Sequence, residues 1–163
     1  MRSDDHAWMG AALRQARAAC RNGEVPIGAI VVVSGRVIGR GANRLVAARD
    51  PTAHAEVVAL RRAARKTRDY RLGGATLYVT LEPCLMCLGA MVHARIHRLV
   101  YGARDPKIGA TRLLRQSRAA RLNHRFQVTG DVRAEECASL LRDFFREKRR
   151  VRNADARRRD APS

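Results

Sequence analysis

His54 and Glu56 stand two residues apart in Thr52-Ala53-His54-Ala55-Glu56, and about thirty residues later Glu82-Pro83-Cys84-Leu85-Met86-Cys87 supplies two thiols. One imidazole, two thiols and a spare carboxylate are the parts of a catalytic zinc site with a proton carrier beside it. Zinc takes thiolate and imidazole ligands tetrahedrally, and a catalytic site keeps three protein ligands and leaves the fourth position to water. His54, Cys84 and Cys87 are therefore the candidate ligands of one zinc ion. Glu56 is the candidate catalytic acid and base, because a purely structural site would be completed by a fourth cysteine or histidine. A water made acidic by the metal, a group to take its proton and a group to deliver one to a ring nitrogen are what hydrolysis at an amino-bearing ring carbon requires.

Taken singly, these motifs are weak. A Cys-x-x-Cys pair also suits redox chemistry, and His-x-Glu alone says little. Their combination, each at a predicted helix start, is specific. Cys20 and Cys137 lie in apolar helical patterns and read as small core residues. His93 and His97 read as fourth ligands, as packing residues or as residues that support the ligands from behind.

The elements that must position this set can be read from periodicity. Trp8, Ala12, Ala16 and Ala19 recur at helical spacing over 7–21, and Asn22-Gly23 ends that run. Ile27 to Val33 and Val37 to Gly41 flank Ser34-Gly35 as a hairpin. Residues 43–51 read as a loop. Thr52 is the expected cap of a helix to about Arg65. Ala75 to Leu81 reads as a strand. Pro83 suits a first helical turn, so Cys84 and Cys87 are expected on one face of a helix running to Ala94. Glu56, two residues from His54, does not share its helical face and would have to rely on its length. Ile96 to Tyr101 and Arg125 to Thr129 are further strands, and Ala134 to Val151 is a final helix. Strand, helix, strand alternation predicts parallel pairing with helices over the sheet. On the Cys helix, Leu88, Met91 and Val92 read as either a subunit interface or core.

With 163 residues and 46% hydrophobic content, the chain suits one domain with a real core. We expect that domain over 1–151 and a flexible basic tail over 152–163. No apolar run is long enough to span a membrane, and the N-terminus lacks the apolar segment of a secretory signal. The few cysteines fit a reducing, cytoplasmic setting. Against 15 acidic residues stand 33 lysines and arginines, a formal charge of +18. Such a field favours a polyanion, nucleic acid above all.

The two motifs form the known signature of the zinc nucleobase deaminases. Beyond them the sequence resembles the bacterial tRNA-specific adenosine deaminases of the cytidine-deaminase-like superfamily, over nearly all of 6–151. The resemblance rests on Glu24-Val25-Pro26-Ile27-Gly28-Ala29, Asn43-Arg44, Asp50-Pro51, Leu77-Tyr78-Val79-Thr80-Leu81, Gly89-Ala90-Met91, Tyr101-Gly102-Ala103-Arg104-Asp105, Leu122-Asn123-His124-Arg125 and Asp143-Phe144-Phe145. It implies an α/β protein, a three-layer α/β/α fold with a mixed five-stranded central sheet, acting as a homodimer. The implied activity is hydrolytic deamination of adenosine to inosine at wobble position 34 of the tRNA anticodon.

The same resemblance implies that His54, Cys84 and Cys87 hold one zinc per subunit and that Glu56 shuttles protons. It further implies that the Cys84 amide helps position the attacking water, that Asn43 reads the flipped nucleoside, and that Asp105, Lys107, Phe144 and Arg149 belong to the surface for the anticodon stem-loop. After Asp105-Pro106-Lys107 the chain departs from the family. It reads Ile108-Gly109-Ala110-Thr111-Arg112-Leu113-Leu114 where glycine-rich sequence is usual, and Arg112, Arg115, Arg118 and Arg121 follow at intervals that make no single helical stripe. A deaminase of free guanine or cytosine, a cytidine deaminase of nucleic acid, and a non-catalytic zinc-containing RNA-binding protein are the competing readings.

Overall fold

The computed structural model describes residues 4–116 and 123–159. In chain order the elements are α1 (Asp5–Arg21), β1 (Gly28–Val33), β2 (Arg36–Ala42), α2 (Leu45–Ala48), α3 (Ala55–Thr67), β3 (Thr76–Leu81), α4 (Leu85–Ala94), β4 (Arg98–Ala103), α5 (Thr111–Gln116), β5 (Gln127–Thr129) and α6 (Ala134–Arg159). The strands form one five-stranded sheet in the order β2-β1-β3-β4-β5. β1 pairs antiparallel with both β2 and β3, whereas β3, β4 and β5 run parallel. The sheet is therefore mixed, as the resemblance implied, with the parallel part where strand, helix, strand alternation predicted it.

Both faces of the sheet are covered, which explains the near-continuous apolar runs of the central strands. Alternate residues of one strand enter different layers. Ala29 and Val31, Leu77 and Val79, and Leu99 and Tyr101 pack with α3 and α4. Ile30 and Val32, Tyr78 and Val100 pack with α1 and with Cys137 and Leu140 of α6. Val-, Leu- and Ile-rich strands thus join two helical layers into one molecule. Ser34 and Gly35 both carry positive φ, 47° and 69°, the primed turn that matches hairpin twist.

Close backbone approach sets the position of α3. A Cβ on Gly41 would lie 2.0 Å from the Ala55 carbonyl oxygen, so the bare glycine lets β2 touch the first turn of α3.

Several boundaries differ from the sequence reading, each for a reason. Thr52 does not cap a helix: its N–H and hydroxyl both donate to Asp50 Oδ1, at 2.8 and 2.7 Å. The side chain is spent on a turn, and α3 starts at Ala55. Pro83 lies outside α4, whose N-cap is Cys84. The predicted loop 43–51 contains the short α2, held by Glu24, whose Oε1 accepts the Ala47 N–H at 2.8 Å. That partner is too remote in sequence to be seen as a cap. α6 passes Val151 and continues to Arg159, supported by Arg146–Asp143 and Arg150–Glu147 pairs spaced i,i+3. Arg118 and Arg121 lie outside the described residues, as do residues 160–163 of the predicted tail. Among the described residues no helix is long and apolar enough to cross a membrane.

One feature had no signal in the periodicity. Arg98, at the start of β4, donates from both guanidinium nitrogens to Asp5 of α1, at 2.8 and 2.9 Å. The Tyr78 hydroxyl adds a bond to Asp5 at 3.0 Å, and Arg98 also reaches the Thr129 hydroxyl at 2.9 Å. Asp5 and Arg98 are buried, so this cluster ties α1, β3, β4 and β5 together through charge.

Candidate metal centre and active site

The chain enters α3 and α4 in the same way. His54 and Cys84 are their N-caps, both in extended backbone (ψ 150° and 173°), and neither side chain makes a capping hydrogen bond. Side chains that usually bend back onto a helix start are here free to converge. His54 Nδ1 lies 3.7 Å from Cys84 Sγ and 3.6 Å from Cys87 Sγ, and the two sulfurs are 3.7 Å apart. These three residues form a cluster able to hold a metal ion. Cys84 and Cys87 do not meet as two helical residues on one face. An extended N-cap and a residue of the first turn meet across the helix entrance.

The same geometry resolves the spacing of His54 and Glu56. His54 precedes the helix and Glu56 lies within it, so helical phase does not separate them. Glu56 is buried, 4% exposed, and its carboxyl approaches Cys87, with His54 and Cys84 close enough to affect its ionisation. Burial holds the Glu56 carboxyl above the usual carboxylate range, although nearby His54 opposes the shift. Hydrogen bonding with Cys87, and then with His54, holds the Cys84 thiol down at about 4. The Cys84–Cys87 bond together with burial pushes Cys87 up. His54 is raised, chiefly by its bond to Cys84. A cation engaging both sulfurs as thiolates would have to displace the proton that these surroundings favour on Cys87.

Asn43 is buried and joins the cluster's surroundings through α3: its Oδ1 accepts the Ala55 N–H at 2.9 Å. It serves the helix start that the His54 side chain leaves unserved. Lys107 is exposed and borders a cleft with Cys84, Leu85, Met86 and Ile108. Asp105 is half-buried, and its Oδ1 accepts the N–H groups of Lys107 and Ile108, at 2.9 and 3.2 Å, which shapes the turn. Phe144 and Arg149 belong to α6, the helix that packs with α1 on the sheet face opposite α3 and α4. Phe144 is half-buried in a groove with Cys20 and Gly23, under the Lys148 ammonium, and Arg149 is exposed. The fold therefore gathers His54, Glu56, Cys84, Cys87 and Asn43, sets Lys107 at the rim of the cleft beside Cys84, and places Phe144 and Arg149 on α6.

Other residues separate cleanly. Cys137 is buried against Gly102, a core cysteine as expected. His93 and His97 are exposed around the C-terminal end of α4, away from the donor cluster at its start, so they are neither fourth ligands nor packing residues. Leu88 and Met91 are core; the exposed apolar residues of α4 are Leu85 and Met86. Glu82, beside the Pro-Cys motif, is a further buried carboxylate whose role has no signal in the sequence pattern.

Known proteins are similar to this chain in sequence and in fold. Residues 3–149 match the family of MafB19-like deaminases. A tRNA-specific adenosine deaminase of Haemophilus influenzae is 47% identical over 151 residues, covering 89% of this chain and 85% of that protein. A solved structure from biochemical and structural studies of A-to-I editing by tRNA:A34 deaminases is 44% identical, with a TM-score of 0.78, covering 83% of this chain and 99% of that one. A guanine deaminase from Nitrosomonas europaea shares the fold at a TM-score of 0.73 and 28% identity, covering 85% of this chain and 83% of its own.

Proposed function

This chain belongs to the tRNA-specific adenosine deaminases, within the MafB19-like deaminase family, and from that membership we propose how its own residues carry out the reaction. The enzyme hydrolyses adenosine to inosine at wobble position 34 of a tRNA anticodon: the water oxygen bonds to C6 and becomes the inosine oxygen, and the C6–N bond breaks to release the amino group as ammonia. The observation that carries the residue assignment is the buried Glu56 carboxyl beside a three-donor cluster that has no fourth protein ligand among the described residues.

The metal we assign is zinc, one per subunit. Tetrahedral zinc with bonds of about 2.3 Å to sulfur and about 2.05 Å to nitrogen puts two sulfurs roughly 3.8 Å apart and sulfur and nitrogen roughly 3.6 Å apart. The separations here are 3.7 Å between the sulfurs and 3.7 and 3.6 Å from sulfur to nitrogen. Two thiolates and an imidazole are a zinc donor set, and three ligands leave one position for water. Zinc bound there supplies the Lewis acidity that makes a water nucleophilic near neutral pH.

Glu56 takes one proton from the attacking water and gives it to the ring nitrogen beside the reacting carbon, then takes the second from the newly added hydroxyl and gives it to the departing amine. A carboxyl raised by burial is suited to hold a proton between those transfers. Asn43, with Oδ1 committed to Ala55, offers its Nδ2 donors to the nucleoside. The Cys84 amide, at the same helix entrance, helps orient the water. Lys107 and Asp105, with Phe144 and Arg149 on α6, belong to the anticodon stem-loop surface. A loop nucleotide can be splayed into such a pocket at little cost, because no duplex need open. A homodimer in the cytoplasm completes the proposal.

The test is a substrate panel. Zinc-loaded protein and Glu56→Ala are incubated with bulk tRNA, anticodon stem-loops, free adenosine, cytosine and guanine, and inosine, uracil, xanthine and ammonia are measured. Inosine from tRNA and stem-loops, absent in the variant, is the expected result. Turnover of free guanine or cytosine with tRNA untouched would overturn it.

A further inference from the structure

Glu82 is 8% exposed and belongs to neither the donor cluster nor the proton path. It stands between β3 and Cys84, and its carboxylate reaches across to the segment that follows β4. Oε2 accepts the Asp105 N–H at 3.2 Å. Oε1 accepts the Thr111 N–H at 3.2 Å and the Thr111 hydroxyl as well. The next residue adds a parallel link, because the Ala110 N–H donates to the Pro83 carbonyl at 3.0 Å. Both ends of the 105–111 loop are thus fastened to the two residues leading into Cys84.

The loop is built around this carboxylate. A Cβ on Gly109 would come within 2.5 Å of Glu82 Oε2 and 2.4 Å of the Asp105 carbonyl oxygen, so the chain passes Glu82 where only glycine fits. Asp105 shapes the stretch between the fastened ends through its bonds to Lys107 and Ile108. The outer side of the loop, from Lys107 to Ala110, and the first residues of α5 line one cleft together with Cys84, Leu85 and Met86. Burying a carboxylate is costly unless its oxygens are filled, and here three donors fill them. A carboxylate has acceptors on both oxygens, so one side chain can hold both ends of the loop. A glutamine in its place would turn an NH2 group against a backbone N–H.

We infer that Glu82 is a positioning residue: it locks the 105–111 loop to the entrance of the metal-binding helix and so fixes the cleft wall against which the nucleotides flanking the target adenosine lie. This rests on the reading that the cleft takes a tRNA anticodon. Its consequence is specific to substrate binding. Loosening the loop misplaces RNA contacts, whereas His54, Cys84, Cys87 and Glu56 are held by α3 and α4.

The experiment measures kcat and KM for an anticodon stem-loop, zinc content and thermal stability in the parent, Glu82→Gln and Thr111→Val. Thr111→Val removes one of the three bonds with little change of shape and keeps the test informative if Glu82→Gln folds poorly. The expected result is full zinc content with KM raised about tenfold or more in Glu82→Gln, in line with the cost of sub-ångström misplacement, and kcat within about threefold of the parent. Thr111→Val should show a smaller rise in KM, and in the double variant the effects should fail to add, because the residues share one bond. A Glu82→Gln protein with unchanged KM, or one whose activity falls only in proportion to lost zinc, overturns the assignment. A parent protein silent on RNA would instead sink the functional reading beneath it.

Discussion

Glu56 shows how local backbone decides whether neighbouring side chains can cooperate. Two residues apart on a helix, His54 and Glu56 would point to different sides. With His54 as an extended cap and Glu56 in the first turn, both face one small volume. The residue types and their order were legible in the sequence, and the structure brings His54, Cys84 and Cys87 together. The way the donors meet was not legible, because Thr52 is diverted to Asp50 and both helix starts move by a few residues. Cys87 is fully buried at the centre of the cluster. Replacing it with serine keeps the volume and removes the soft anionic ligand. Zinc content of Cys87→Ser after mild chelation should fall by more than about tenfold against the parent, since even residues one layer beyond a metal cost 10–100-fold in affinity; atomic absorption on the purified protein reads this directly.

At the scale of elements, β3, β4, α3 and α4 were visible as apolar runs and helical periods because burial dictates both. The Asp5–Arg98 cluster was invisible, because a basic residue inside a predicted strand carries no sign of its partner on α1. Its bidentate pair lies at 4% and 0% side-chain exposure, so removing one member strands the other charge in the interior. Arg98→Met is expected to lower unfolding free energy by about 3–5 kcal/mol. Replacing Asp5 and Arg98 together with apolar residues should recover much of that loss, since neither charge is then left alone. Urea denaturation of the two variants, with zinc content measured alongside, checks this; a single variant as stable as the parent would refute it. The site end of the sheet is bound by other contacts, so zinc content in the folded Arg98→Met fraction should match the parent.

Across the whole molecule, charge and fold answer different questions. The formal charge of +18 points to a polyanion, and some of that charge is answered within the protein, as in the Arg146–Asp143 and Arg150–Glu147 pairs. Which polyanion, and which base, were legible only through the resemblance: a guanine deaminase shares the fold, so the sheet and helices alone do not choose the substrate. Phe144 and Arg149 illustrate the point, since their assignment as substrate contacts comes from likeness, while the structure by itself shows only their place on α6. If the basic surface holds about four phosphates, stem-loop affinity should drop roughly a hundredfold between about 50 and 200 mM salt, while zinc retention stays level; filter binding and metal analysis over one salt series test both. In the proposed reaction this chain deaminates tRNA adenosine and Glu56 moves the protons. This is tested most directly by mass spectrometry of position 34 in tRNA treated with parent and Glu56→Gln proteins of matched zinc content. Inosine is expected with the parent, and a loss of at least about a hundredfold in rate with Glu56→Gln at full zinc occupancy. Inosine formed at an undiminished rate by Glu56→Gln would contradict it.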